Sequence, residues 1–392
     1  MDCGPDQLLY EHAMSPFRPE GRRRWRQPIR TFGLVTIVVA LMAAALGAAY
    51  GLAASPYQPT STGALKLCGP PDRATRLPPG GRPLVLRDPR SQGVRAVAFC
   101  RDSRFLAAAD GNGHAYVWSL ATRKIVAVVG DPHSRGVNAV AYRPGTKILA
   151  TGDANGHVYL WQPGVKRPHV LTDPASKGVR AIAFSPKRQL LAAADGNGRS
   201  YVWSLATHRI VAILRDSGSK GVNAVAFRGT GNLVATGDAN GVTYLWALPR
   251  KLAIRFPARL EGRFRDPRNR GVRAVEFRPR SAVLEIADAD GRLYLWRPGI
   301  ARPRILADPR SKGIVGEASS PNGEFLPAAD ADGRLYFWML PLDKIVEFLT
   351  RGGIRAVAFS PDSRRLATGD AAGRIYVSDV TYIGIQAAFS VR

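Results

Sequence analysis

From Asp88 onward, short apolar runs alternate with polar, glycine-bearing breaks at a steady beat. The first stretch reads DPRSQGVRAVAFCRDSRFLAAADGNGHAYVW, and four short strands are legible in and just after it, over 94–99, 105–109, 115–118 and 125–129. β-Branched and aromatic side chains fill these runs, and turn residues separate them. Asp110-Gly111-Asn112-Gly113 supplies a tight hairpin turn, because Gly and Asn tolerate positive φ.

The stretch then recurs. A second copy begins near 131 and a third near 173, with further copies near 216, 266, 308 and 353. Each of the first six closes on a tryptophan, Trp118, Trp161, Trp203, Trp246, Trp296 and Trp338, with Ser378 in that place in the last. The steps between these positions are 43, 42, 43, 50, 42 and 40 residues. Copies one and three share YVWSLAT, whereas two and four share ATGDAN, as if a two-repeat unit had been duplicated. Four strands in ~40–45 residues is the period of a propeller blade.

Seven copies of G-V-x-A-V-x-F followed by L-A-x-x-D-x-N-G-x-x-Y-x-W resemble WD-repeat β-propellers over 88–379. The loops depart from the commonest family pattern: Asp-Pro-x-Ser stands in place of Gly-His, and the Asp after Trp is mostly missing. The small hydroxyl residue of the second strand is often Ala. The family's Asp–His–Ser–Trp hydrogen-bond network is therefore not expected in its usual form. This Asp-Pro-x-Ser-x-Gly-Val variant looks like the repeats of actinobacterial membrane and kinase-linked proteins, although no kinase signature precedes it. The resemblance implies an all-β, seven-bladed propeller of four-stranded antiparallel blades over 82–392. Arg82–Arg87 and Ile383–Val391 compete to supply the strand that clasps the ring and hides its edge. Copy six is the weakest, with GEASSP (316–321) where others carry AVAFSP and Pro327 where a central strand needs an N–H.

Ahead of the repeats, residues 31–54 carry no charge and are long enough for roughly 36 Å of helix, against a hydrocarbon core of about 30 Å. Arg18, Arg22, Arg23, Arg24, Arg26 and Arg30 precede this segment, and the next basic residue is Lys66. The positive-inside rule puts the basic segment 1–30 in the cytoplasm and carries the propeller across the cell membrane. A cleaved signal peptide is the rival reading, with Gly51-Leu52-Ala53 as its site. Residues 55–81 are a proline-rich linker. Cys68 in the linker and Cys100 beyond it could pair if both lie outside, although two unrelated thiols are the simpler expectation.

Charge raises the question of partners. The formal net charge is +26, and 46 Arg stand against 10 Lys. In the family, the residue after Gly-Val at the start of the inner strand rims the channel. That position holds Arg95, Asn138, Arg180, Asn223, Arg273, Val315 and Arg355. The preceding loops add Arg90, His133, Arg135, Lys177, Lys220, Arg268, Arg270, Arg310 and Lys312. Guanidinium pairs well with carboxylate and phosphate, so Arg95, Asn138, Arg180, Asn223, Arg273 and Arg355 are the expected contacts for an acidic macromolecule. A plainly solvated face is the competing reading, since such single-sign fields often go unused.

The turn carboxylates Asp110, Asp153, Asp195, Asp238, Asp288, Asp290, Asp330, Asp332 and Asp370 look at first like calcium ligands. They lack the later bidentate Glu of a calcium loop, and one per repeat is what a recurring β-turn needs. His114 and His157 share a repeat position and are expected to be exposed strand starts rather than a metal pair. No Gly-x-Ser-x-Gly, P-loop, His-Glu-x-x-His or Cys-x-x-Cys occurs. The expectation is a non-catalytic interaction platform with no cofactor or metal, its tryptophans packing blade on blade. Two alternatives stay open: an exported propeller enzyme with a channel metal, or a cytoplasmic signalling or nucleic-acid scaffold.

Overall fold

A computed structural model describes residues 83–380 apart from 132, 166, 216–217, 252–256, 341–343 and 350–352. All of these belong to the second of the chain's two units, Gln58–Arg392. The segment 31–54, the linker and Ile383–Val391 lie outside the described residues. No helix among the described residues is long and apolar enough to cross a membrane.

Seven four-stranded antiparallel sheets make up the fold. Blade 1 runs outward through Val94–Phe99, Phe105–Asp110, His114–Ser119 and Lys124–Gly130. Blades 2 to 6 repeat this order from the inner strands Val137–Tyr142, Val179–Phe184, Val222–Phe227, Val272–Phe277 and Ile314–Glu317. Blade 7 takes Ile354–Phe359, Arg365–Asp370 and Arg374–Asp379 from the end of the repeats. Its fourth strand is Leu84–Arg87, antiparallel to Arg374–Asp379 with Leu84 opposite Val377 and Arg87 opposite Arg374. Successive inner strands touch, and the last touches the first, so the ring is closed.

Alternation explains how the clasp holds. Leu84 and Leu86 point inward and are 3% and 1% exposed, while Val85 between them faces solvent. Both leucines join a core cluster containing Val94, Val97 and Trp118 of blade 1 and Ile375 and Val377 of blade 7. All six repeat tryptophans are buried. Trp203, Trp246, Trp296 and Trp338 each pack into a cluster drawn partly from the preceding blade.

Cys100 is disulfide-bonded and fully buried, which corrects the expectation of a free thiol there. Its partner lies outside the described residues. Blade 6 bears the mark of Pro327. The inner strand stops at Glu317, and the remaining ladder bond there runs from the Ala318 N–H to the Pro327 carbonyl at 3.3 Å, because proline has no N–H to return.

Part of the family's hydrogen-bond network survives. The indole N–H groups of Trp161 and Trp246 donate to the hydroxyls of Thr151 and Thr236 at 3.0 and 2.9 Å. In blade 1 the residue equivalent to Thr151 is Ala108, and the Trp118 indole N–H is buried without a hydrogen-bond partner. Thr151→Ala is expected to orphan a second indole, at a cost of ~1–3 kcal/mol. A urea titration would show the lower midpoint with an unchanged slope.

Candidate functional site

The loops leading into the inner strands are built on carboxylates. In blade 5, the Tyr294 hydroxyl lies 2.8 Å from Asp266 and 2.9 Å from the turn residue Asp288, its single proton shared between the two carboxylates. In blade 2, Tyr159 donates to Asp131 at 2.7 Å. Burial pushes the Tyr116 hydroxyl of blade 1 up to about 12, so it stays a donor at neutral pH. The buried turn aspartates accept from their own turns: Asp238 Oδ1 takes the N–H groups of Asn240 and Val242 at 2.9 and 2.7 Å. Across the loop, Ser91, Ser176 and Ser311 donate their hydroxyls to Asp110, Asp195 and Asp330. The Asp-Pro-x-Ser loop thus takes over the stitching that Gly-His performs in the commoner pattern.

Gly93, the last loop residue before the inner strand, has φ +105, and a Cβ there would meet the Ala371 carbonyl of the preceding blade at 2.9 Å. The next residue is displaced from the ladder. In every blade the register slips between the first and third residues of the inner strand, for example between Val94 and Ala96 and between Val272 and Ala274. Arg95, Asn138, Arg180, Asn223, Arg273, Val315 and Arg355 are the extra residues of these seven bulges. A bulge re-aims its side chain and leaves it out of the sheet's own packing.

At this rim Arg95 donates to Asn138 Oδ1 at 2.6 Å, and Arg180 to Asn223 Oδ1 at 2.5 Å. Each Asn passes the chain on, donating to the backbone carbonyls of Val179 and Val272 at 2.8 Å. All four arginines are exposed, and both asparagines are half-buried. The blade after Arg273 offers Val315, and the blade after Arg355 offers Arg95. Neither provides the asparagine acceptor that Arg95 and Arg180 have.

The surrounding loops spend part of their charge locally. Arg310 pairs with Asp308 at 2.8 Å, Arg270 with Asp290 at 3.4 Å and Arg90 with Asp88 at 3.6 Å. The arginines of these pairs stay largely in solvent, which screens the attraction and keeps each contribution small. His157 is half-buried with Nδ1 at 3.5 Å from Asp153, and the contact raises its pKa. Asp131, Asp153 and His157 lie close enough to ligate an ion, but Asp131 is already engaged by Tyr159 and by the His133 N–H.

The opposite ends of the inner strands border a cavity of about 750 Å³ lined by residues of blades 3, 4 and 5 and by Glu317 of blade 6. Three carboxylates converge there. Glu276 and Glu285 face each other across the first two strands of blade 5, and Glu317 comes from the inner strand of blade 6. One oxygen of each lies within 4.8 Å of those of the other two. Ser319 ties two of them, its N–H donating to Glu276 at 2.8 Å and its hydroxyl to Glu285 at 2.5 Å. Burial, reinforced by the neighbouring carboxylates, pushes Glu276 up to about 8 and Glu317 well above the usual range; burial alone pushes Glu285 up to about 7. That copy six is the weakest repeat does not by itself reveal this cluster. Aligning the repeats for departures from their own consensus would have found it.

Compared with known families, the chain matches WD40 (WD domain, G-beta repeat) over residues 83–119, 125–162, 166–204, 209–247 and 345–379. A search of the curated proteins finds no match. The interval 248–344 between two matches contains all of blade 5 and the first three strands of blade 6, and so every one of the three carboxylates. WD40 propellers generally mediate protein interactions and are typically non-catalytic scaffolds. The five matched stretches cover just under half of the chain, and together with the seven four-stranded blades they make it similar to the WD-repeat β-propeller family.

Proposed function

We propose that the chain is a non-catalytic interaction platform, anchored by residues 31–54 in the cell membrane, whose propeller outside the cytoplasm captures acidic macromolecules on its arginine-bearing rim. The observation that carries the reading is the bulge series. It sets Arg95, Arg180, Arg273 and Arg355 on one rim, exposed, with Arg273 and Arg355 lacking the asparagine that holds the other two. A planar guanidinium with free N–H groups recognises carboxylate or phosphate in two-point fashion. The uncharged segment and its arginine-rich leading flank support the topology. So does the disulfide at Cys100, since such bonds persist in oxidising compartments.

Two measurements test this reading. Protease added to intact cells should remove an epitope placed after Arg392; protection until lysis overturns the topology. Immobilised polyglutamate and an anionic phosphodiester polymer should both retain the native protein. Changing Arg95, Arg180, Arg273 and Arg355 together to Glu should reduce retention at least about 100-fold, as four attractive contacts become repulsive. The melting temperature should stay within about 2 °C, because exposed substitutions shift stability by only ~0.5 kcal/mol each. Undiminished retention overturns the assignment of the rim.

A further inference from the structure

Four side chains in blades 5 and 6 break the repeat, and all four meet. Where the other blades carry Ala98, Ala141, Ala183, Ala226 and Ala358, blade 5 carries Glu276. Its cross-strand partner Glu285 replaces the alanine seen as Ala107, Ala150, Ala192, Ala235 and Ala367. Glu317 replaces the valine of Val97, Val140, Val225 and Val357. Ser319 replaces the aromatic ring of Phe99, Phe184, Phe227 and Phe359, making room for the acids. Drift scattered over a sevenfold repeat would not be expected to place three apolar-to-acidic changes and one large-to-small change in a single contact cluster.

The hydrogen bonding inside the cluster is incomplete. Glu285 is 0% exposed, yet its Oε1 has no hydrogen-bond partner. Both carboxylate oxygens of Glu317 are shut off from solvent and also unpartnered. Unpaired buried oxygens at such spacing are costly, and three like charges cannot coexist there uncompensated. The nearby cation is Arg278, which is turned to the Gly323 carbonyl at 2.5 Å and so offsets the cluster in part. Arg228 and Arg280 line the adjoining cavity.

We propose that Glu276, Glu285 and Glu317 bind a hard divalent cation, calcium by preference, at the seam of blades 5 and 6, with water from the adjoining cavity completing its coordination. The donors are all oxygen, which suits calcium or magnesium over softer ions. Three carboxylates converging from separate strands favour calcium, since magnesium usually keeps most of its waters and takes one or two carboxylates. The site lies at the far end of the inner strands from the arginine rim, so it stands or falls independently of the proposed capture of acidic partners.

Calorimetric titration of the full chain in detergent, stripped with chelator and then given calcium chloride at pH 8, tests the proposal. One saturable site is expected, with weaker binding of magnesium chloride. Binding should release protons, and affinity should fall about tenfold per pH unit for each proton displaced. Glu317→Gln, which keeps the shape, should weaken calcium at least 30-fold. The triple variant Glu276→Ala, Glu285→Ala and Glu317→Val, which restores what the other blades carry and so should fold, should show no site. No saturable heat with either ion, or equal calcium binding by the triple variant, overturns the proposal.

Discussion

Leu86→Asp is expected to unfold the propeller or leave it open at blade 7. Leu86 is 1% exposed and packs against both sides of the seam. Losing a buried leucine side chain costs about 2–5 kcal/mol, before any charge is considered. Placing a carboxylate in that apolar cluster adds several kcal/mol more, or a proton taken up to avoid it. The sum approaches the whole stability of an ordinary domain, ~5–15 kcal/mol. Blade 7 has little to fall back on, because it carries Ser378 where other blades bring tryptophan. Val85→Asp, on the same strand but with its side chain half exposed, is the matched control and should change the urea midpoint little. Size-exclusion volume and circular dichroism decide the matter. A Leu86→Asp protein as compact and as stable as the control would mean that Leu84–Arg87 does not hold the ring shut.

That clasp illustrates how far the chain could be read unaided. Seven copies of one strand pattern are enough to specify blades, since each repeat cannot bury its apolar face alone and must stack on a neighbour. The strand limits of blade 1 extend the sequence reading by one residue at five strand ends, where ladders run into their turns. Ring closure is different in kind. RPLVLR and the C-terminal tail both have strand character, and only the long-range pairing of Leu84 with Val377 selects between them. The turn aspartates serve the turn chemistry that their spacing predicts, but their serine partners emerge only once the loops are folded. Repeat position alone singles out the seven residues that follow Gly-Val or Gly-Ile. Their common cause, a bulge at each strand start, depends on cross-strand register and leaves no mark in a single repeat. The carboxylate cluster was hidden by the opposite problem: its residues lie 41 positions apart in sequence between Glu276 and Glu317 and look like erosion when each copy is scored alone.

Calcium-free protein should lose stability as pH rises from about 5 to 8, and the triple variant should lose much less. Glu276 and Glu285 ordinarily titrate at 4.5, but in the fold they are pushed up to about 8 and about 7, and Glu317 is likewise raised well above its ordinary value. A carboxyl whose folded pKa is raised binds its proton more tightly in the native state than in the unfolded chain. Its contribution is therefore complete below about 4.5 and is lost as pH climbs through the folded values. At about 1.36 kcal/mol per pKa unit the loss amounts to several kcal/mol, shared by a cluster that titrates as a group rather than residue by residue. His157, raised by Asp153, works in the same direction, whereas Asp266 and Asp308, both lowered, matter only in stronger acid. All three remain in the triple variant, so the difference between the two proteins isolates the glutamates. Thermal melts at half-unit steps in the presence of chelator should show the native protein falling below the triple variant by pH 8, with the two curves converging near pH 5. Adding calcium at pH 8 should then raise the native curve alone, because a bound cation supplies the charge that the departed protons had neutralised.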